Sequence, residues 1–460
     1  MSKPAKPIED LAGALERAYP ELAVVRERAT DEPVYLVGGA IRDLLLGRGR
    51  ADLDLVVEGD AATLAAKLGA QSVEHERFAT AKVRLDGHEV DIAAARTETY
   101  AQPGALPRVE PASLAEDLAR RDFTMNAMAW GDDAPAAGSS PKPHLVDPYN
   151  GAIDVAARSI RAVGDPATRF EEDALRMVRA VRLAATIDFE IEPATRAAID
   201  THSELVRHLS GERIAAELEK LLAAPEPSKG LRLMADTGIL AVVSPDLAAQ
   251  RGIAQNKIPG EDLLDHTLRT VDAATAGSPR VRLAALVHDI GKPATIDDGP
   301  FRRHDTVGAD LAAALLDRLH LPRATTERVV HLVRNHMFTY DPAWGDSGVR
   351  RFIQRVGPAA LDELFELRAA DNVGSGVPAN AHGLDELRDR VRAQLEASVP
   401  LDLRQLAIDG DDLMTELAIP AGPTLGRLLD ALLEQVVTDP GLNDRATLLL
   451  LAGSILTDDR

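Results

Sequence analysis

Apolar residues recur at three- and four-residue spacing through the opening stretch, with Leu11, Leu15 and Ala18 on one side, so the first ~30 residues predict an amphipathic helix that Pro33 ends. Short apolar runs follow. Val34-Tyr35-Leu36-Val37 predicts a strand leading into Gly38-Gly39, and Ala40 to Leu46 resumes helical spacing up to Gly47. Leu53 to Val57 predicts a second strand, and Val83 to Leu85, the Asp86-Gly87 turn and Glu89 to Ile92 predict a hairpin. Helix and strand alternate to about Trp130, and residues 131–143, small, polar and Pro-rich, predict a surface loop. After Asp147-Pro148 the spacing is helical from Asp173 to Ile187 and from Thr195 to Leu222, with almost no strand signal beyond. The pattern is that of an α+β chain whose strands lie in its first third.

The 460 residues suit roughly three domains. Apolar residues at 45% and charged residues at 27% exclude a mostly disordered chain. The net charge of −21 excludes a globally basic nucleic-acid coat but leaves room for a local basic cleft. There is no cysteine, which removes disulfides, thiolate metal sites and Cys nucleophiles together. No run of ~18 apolar residues appears and the start lacks the apolar core of a signal peptide, so a soluble cytoplasmic protein without membrane partners is expected.

Gly38-Gly39 lies between a strand and a helix, where missing Cβ atoms let backbone approach a phosphate, and Arg42 could add charge; turn punctuation is the plainer alternative. Asp52 and Asp54 alternate along a strand and so share a face, where their repulsion favours a hard cation such as Mg²⁺. Asp91 on a neighbouring strand could complete a two-metal site for phosphoryl transfer, against the plainer reading of a solvated acidic strand. Arg120-Arg121-Asp122 suits either triphosphate oxygens or a surface ion pair. Asp173, Arg176 and Arg179, three apart, read as one helical stripe. A carboxylate acceptor beside a guanidinium donor pairs with cytosine or adenine, which present an amino group next to a ring nitrogen, and rejects uracil and guanine.

Together these segments resemble the class II tRNA nucleotidyltransferases, the CCA-adding enzymes related to polymerase β and bacterial poly(A) polymerases. The matching stretches are VGGAIRD at 37–43, ADLDLVV at 51–57, EVDIAAARTETY at 89–100, RRDFTMNAMA at 120–129, DPYNGAID at 147–154 and EEDALRMVRAVR at 171–182. The resemblance implies a mixed-sheet nucleotidyltransferase head followed by all-α modules, with Asp52, Asp54 and Asp91 catalytic and Mg²⁺ held by Asp52 and Asp54. It implies nucleotide contacts from Gly38, Gly39, Arg42, Arg121, Asp122 and Asn126, a base template of Asp173 and Arg176 with Arg179 beside them, and tRNA, CTP and ATP as partners.

Six of the twelve histidines lie within 71 residues, at 266, 288, 304, 320, 331 and 336, where uniform placement would put roughly two. His288-Asp289 at a helix end could bind a metal with His266 and a distant Asp, although a bare His-Asp pair is more often structural. The stretches LLDHTLRTV, LAALVHDIGKP, RHDTVGADLA and LVRNHM resemble an HD phosphohydrolase domain. That resemblance implies a divalent metal on His266, His288, Asp289 and Asp371, with His304 and His336 available for a second metal or substrate; His320 and His331 match no motif and are expected at the surface.

The expected division is 1–155 head, 156–250 base-reading and RNA-binding helices, 251–375 HD domain and 376–460 helical tail. The implied activity is template-independent addition of C and A to tRNA 3′ ends with release of pyrophosphate. CC-adding, A-adding and poly(A) polymerase variants, or an enzyme working chiefly as an HD phosphohydrolase, are the alternatives. Residues 74–81 look more like the CCA-adding pattern than the poly(A) polymerase one, and 101–119 lies where the family carries an element governing the switch from C to A.

Overall fold

The computed structural model describes residues 10–29, 32–69, 73–75, 80–99, 108–132, 143–255, 257–298, 301–397 and 399–458. Of the segments singled out above, residues 1–9, 30, 76–79, 100–107, 133–142 and 256 lie outside the described residues. The chain divides into two compact units, 1–248 and 249–460.

The first unit opens with two helices, α1 (Leu11–Ala18) and α2 (Glu21–Arg28), rather than one. Pro20 has no N–H to donate, so the first helix ends at Tyr19 and Pro20 caps the second. Then come β1 (Val34–Val37), α3 (Gly39–Leu45), β2 (Leu53–Val57), α4 (Ala61–Lys67), β3 (Val73–His75), β4 (Thr80–Leu85), β5 (His88–Ala94), β6 (Arg96–Thr99), β7 (Arg108–Pro111), α5 (Leu114–Ala119), β8 (Ala129–Gly131) and β9 (His144–Val146). Seven of these strands form one sheet in the order β3-β4-β5-β2-β1-β8-β9. It is mixed, because β2 and β5 run parallel while the other neighbours are antiparallel. The alternation along β1 and β2 explains the packing. Tyr35, Val37 and Val56 point to one face, against Leu114 and Leu118 of α5. Asp147 accepts the Gly151 and Ala152 N–H groups at 2.6 and 3.0 Å and so starts α6 (Gly151–Ala157).

Helices dominate from here. After the two-residue β10 (Ser159–Ile160) come α7 (Pro166–Glu172), α8 (Leu175–Ile187), β11 (Glu190–Ile191), α9 (Pro193–His202), α10 (Gly211–Leu222), α11 (Pro227–Asp236), α12 (Ile239–Val243) and α13 (Pro245–Ala248). The parallel β10–β11 pair adds a strand contact that the helical pattern does not announce. The helix expected from Asp173 begins two residues later, because Asp173 is extended (φ −145°, ψ 101°) and ends α7. The run expected from Thr195 to Leu222 is broken by a 3₁₀ turn at Ser203–His208.

In the second unit, α14 (Leu263–Ala273), α15 (Pro279–Val287), α16 (His304–Arg318), α17 (Arg323–Asn335), α18 (Asp346–Val356) and α19 (Leu361–Gly374) precede α20 (Leu384–Glu396), α21 (Gly410–Leu417), α22 (Pro423–Thr438) and α23 (Arg445–Asp458). The last three enclose their own cluster around Leu413, Leu432, Val436 and Leu448. Among the described residues no helix is long and apolar enough to cross a membrane.

Candidate functional site

In the head, Asp54 sits on β2 directly opposite Asp91 on the parallel β5, and Asp52 immediately precedes β2. Burial first, then the charges of Asp91 and Asp52, push the Asp54 carboxyl up to about 6. Such mutual repulsion is what a bound cation relieves, so the carboxylates fit a divalent metal. Lys82 Nζ lies 2.9 Å from Asp91 Oδ1 and offsets part of this charge. Asp91 does not reach the cavity wall that Asp52 and Asp54 share.

That wall encloses about 650 Å³. It unites the Gly38-Gly39 turn with Arg42, Arg121, Asp122 and Asn126, and with Asp173, Arg176 and Arg179. Gly38 has φ +73°, open to glycine at little cost, and a Cβ there would stand 3.2 Å from Arg121 Nη1. Arg42 Nη1 donates to Asn126 Oδ1 at 2.7 Å, linking the glycine turn to the 120–126 segment. Seven arginines and five carboxylates line the cavity, which makes it locally basic in a strongly acidic chain.

Each arginine is held by an acid or a carbonyl. Asp117, fully buried on α5, accepts from both Arg120 and Arg121. Asp122 binds Arg179 at 2.7–2.8 Å. Burial would raise its pKa, but Arg179 and hydrogen bonds from Asn126 and the Phe123 N–H lower it to about 2. Asp173 accepts Arg213 Nη2 on both oxygens, at 2.8 and 3.0 Å. Arg176 donates to Glu172 Oε2 at 2.9 Å and to the carbonyls of Arg169 and Arg120 at 3.0 and 2.7 Å. Asp173 and Arg176 therefore meet at one cavity, but not as a helical stripe, since Asp173 lies in the break between α7 and α8.

Asp117, Arg213 and Glu217 were not singled out in the sequence. Asp117 carries a legible signal, standing three and four residues before Arg120 and Arg121 on a helix. Arg213 and the buried Glu217, which binds Arg182, lie on α10, 40 and 35 residues from their partners. No local pattern marks such pairs.

In the second unit, His266 of α14, His288 and Asp289 at the end of α15, and Asp371 of α19 converge. His266 Nε2 is 3.3 Å from Asp289 Oδ2 and 3.3 Å from Asp371 Oδ1. His304 and His336 reach the other Asp289 oxygen, at 3.4 and 3.6 Å. His288, His304 and His336 each present Nδ1 to a backbone carbonyl, of Ala285, Phe301 and Val333, at 2.6–2.8 Å. That assigns a proton to Nδ1 and turns Nε2 inward, toward Asp289 or a metal. The facing nitrogens approach within 3.2 Å for His266 and His288 and 3.3 Å for His304 and His336. Two groups, His266–His288–Asp289 and Asp289–His304–His336, thus offer N and O donors fit for metal ions.

Burial would raise the Asp289 pKa, but His288, Lys292 and the hydrogen-bonding histidines hold it well below the usual carboxylate range. Burial likewise opposes, and His266, His288 and Lys257 outweigh it to lower, the Asp371 pKa. Burial lowers His288 and His304. His320 is exposed as expected. His331 is not, being half-buried with Nε2 2.7 Å from the Val356 carbonyl, because α17 packs that side of the ring toward the end of α18.

Residues 34–161 match the poly A polymerase head domain, 188–251 the probable RNA and SrmB-binding site of polymerase A, and 263–374 the HD domain. An A-adding tRNA nucleotidyltransferase of Deinococcus radiodurans is 32% identical over 427 residues, covering 87% of this chain and 90% of its own. A CC-adding tRNA nucleotidyltransferase of Thermus thermophilus is 33% identical, covering 92% and 94%. A CCA-adding enzyme of Geobacillus kaustophilus is 30% identical, covering 89% and 90%. The crystal structure of the Bacillus stearothermophilus CCA-adding enzyme in complex with CTP has a TM-score of 0.70 at 26% identity, covering 96% of this chain and 98% of that one. With an arginine-lined cavity that also presents Asp52 and Asp54, and with relatives aligned along nearly their whole length, this chain belongs to the tRNA nucleotidyltransferase family, in a form that carries an HD domain.

Proposed function

We propose that the chain adds C and A to tRNA 3′ ends from CTP and ATP, releasing pyrophosphate, in the cytoplasm. The observation that carries this reading is the single cavity joining the glycine turn, Asp52 and Asp54, and the Asp173–Arg176 pair. Asp52 and Asp54, with Asp91 beside them, would hold Mg²⁺, which when bound supplies polarisation of the phosphoryl oxygens and of the attacking hydroxyl. Arg42 and Arg121 bind triphosphate oxygens, and Asp122 and Asn126 fix the nucleotide end of the segment they share. The tRNA 3′ oxygen bonds to the α-phosphorus as the bond to pyrophosphate breaks, and the hydroxyl proton is lost.

Base choice falls to Asp173 and Arg176. Three of the five guanidinium N–H groups of Arg176 are committed to Glu172 and two carbonyls, which fixes its plane and leaves two donors for a base. Asp173, held by Arg213 and by the Leu175 N–H, retains one lone pair to accept an amino group. Uracil or guanine would set carbonyl against carboxylate and leave buried polar groups unpaired. The HD module, with His266, His288, Asp289 and Asp371 as ligands and His304 and His336 toward a second ion, would act separately as a metal-dependent phosphohydrolase.

A partial activity, CC-adding or A-adding, is the second reading, because the Thermus and Deinococcus relatives are so named. One experiment separates them. Transcripts ending at the discriminator base, at C and at CC are incubated with Mg²⁺ and CTP or ATP, singly and together, and their ends are sequenced. Full CCA is expected from both nucleotides; arrest at CC, or A addition only to the CC transcript, selects a partial enzyme, and no incorporation refutes the transferase reading.

A further inference from the structure

The match to the polymerase head begins at residue 34, yet side chains before it touch the approach to β2 and the first residue of β5. Tyr19, 1% exposed, closes α1, and its Oη accepts the Ala51 N–H at 3.0 Å and lies 3.3 Å from the Ala51 carbonyl. Glu21, also 1% exposed, begins α2 and accepts Arg50 Nη1 at 2.9–3.0 Å. Arg50 in turn donates to the Ala18 carbonyl at 3.2 Å and stands over the Tyr19 ring, 5.1 Å from its centre. On its other side Glu21 Oε1 lies 3.7 Å from His88 Nε2, at the start of β5.

These contacts meet where the sheet is least able to fix itself. Asp52 precedes β2, so the ladder of β2 with β5, which pairs Leu53 with Val90 and Asp54 with Asp91, stops one residue short of it, and the ladder with β1 already ends at Leu55. The Ala51 N–H, one residue before Asp52, is taken by a side chain that precedes the matched segment. Carboxylates at 52, 54 and 91 repel, and an approach segment held only by its neighbours would splay them apart.

We propose that Tyr19 and Glu21 are positioning residues of the transferase site: they clamp the Arg50-Ala51 approach to Asp52 and the start of β5, keeping the three carboxylates spaced to share a divalent cation. The inference rests on the transferase reading above. Tyr19 acts through the Ala51 backbone, and Glu21 acts through the Arg50 and His88 side chains. Losing the partner of the half-buried Ala51 N–H shifts a local equilibrium by about fivefold.

The test uses the full chain as wild type, Y19F and E21Q. Amide hydrogen exchange of the segment spanning 50–57 is followed without nucleotide, and addition of a single C to tRNA ending at the discriminator base is followed against Mg²⁺ concentration. Y19F removes one hydroxyl, and E21Q keeps the volume while removing the charge that holds Arg50. Exchange near Ala51 should quicken about fivefold or more in Y19F, and the Mg²⁺ half-saturation should rise by a similar factor in both variants, with KM for CTP at saturating Mg²⁺ within about twofold of wild type. A role in stability alone would lower the unfolding midpoint and leave the Mg²⁺ half-saturation where it was, which overturns the clamp. If Y19F fails to fold, the Mg²⁺ dependence of E21Q decides alone. An inactive wild type refutes the transferase reading and the clamp with it, whereas an active wild type with both variants unchanged refutes only the clamp.

Discussion

The Asp122–Arg179 pair gives a stability prediction with a definite pH signature. The Asp122 side chain is one-tenth exposed and its pKa falls from 3.8 to about 2 in the folded protein. A drop of that size corresponds to about 2 kcal/mol. Because the folded pKa is the depressed one, this contribution is full above the unfolded value near 4 and is lost as pH falls through about 2; at pH 3 about half remains. D122N, which removes the charge and little volume, should therefore lower the stability of the first unit by about 2 kcal/mol at pH 7, and the gap to wild type should close toward pH 2. The chain has two tryptophans, Trp130 in the head and Trp344 in the second unit, so a W344F background reports the head alone by Trp130 fluorescence during urea unfolding. A double-mutant cycle with R179M isolates the pair. A gap that stays constant between pH 7 and pH 3, or a coupling near zero, would refute the argument that Arg179 is what holds Asp122 ionised.

Arg213→Ala should free Asp173 and relax discrimination of C and A against U and G by about tenfold, the scale of one charge-assisted hydrogen bond, measured as kcat/KM ratios in single-nucleotide addition; unchanged ratios would count against the template. His288→Ala combined with Asp289→Ala should abolish metal-dependent hydrolysis of a model phosphodiester while leaving nucleotide addition intact. Gly291→Ala places a Cβ 2.3 Å from the His304 carbonyl and 2.5 Å from the Gly308 N–H nitrogen, so it should push α16 away from the metal ligands, lower the second unit's stability by about 2 kcal/mol or more and weaken Mn²⁺ binding by calorimetry. tRNA affinity should fall steeply between about 50 and 200 mM salt in spite of the net charge of −21, since the arginine cavity supplies local positive charge; a flat salt dependence by filter binding would argue against it.

Much of the candidate chemistry follows from local periodicity. Asp54 faces away from the buried Leu53 and Leu55 because side chains alternate along a strand, although Asp52 lies one residue before β2, and His288-Asp289 sits at the end of an apolar helix because Ile290-Gly291-Lys292-Pro293 stops it. The same rules misplace Asp173, since spacing by threes fits a helix as well as a chain that leaves α7 at Asp173 and enters α8 at Leu175. His331 shows the same limit, because nothing beside it in sequence announces the Val356 carbonyl 25 residues away.

By itself, then, the sequence determined the strand-and-helix alternation of the head, the helical remainder and the residue types of two metal-fit clusters, all consequences of backbone periods and side-chain chemistry within a few residues. Only the tertiary structure decided which acid holds which arginine, that Asp371 closes on His266 from 105 positions away, and that Tyr19 takes the N–H beside Asp52. The reason is energetic: a buried charge or N–H must find a partner, and which partner is in reach depends on how helices distant in sequence pack, not on spacing along the chain.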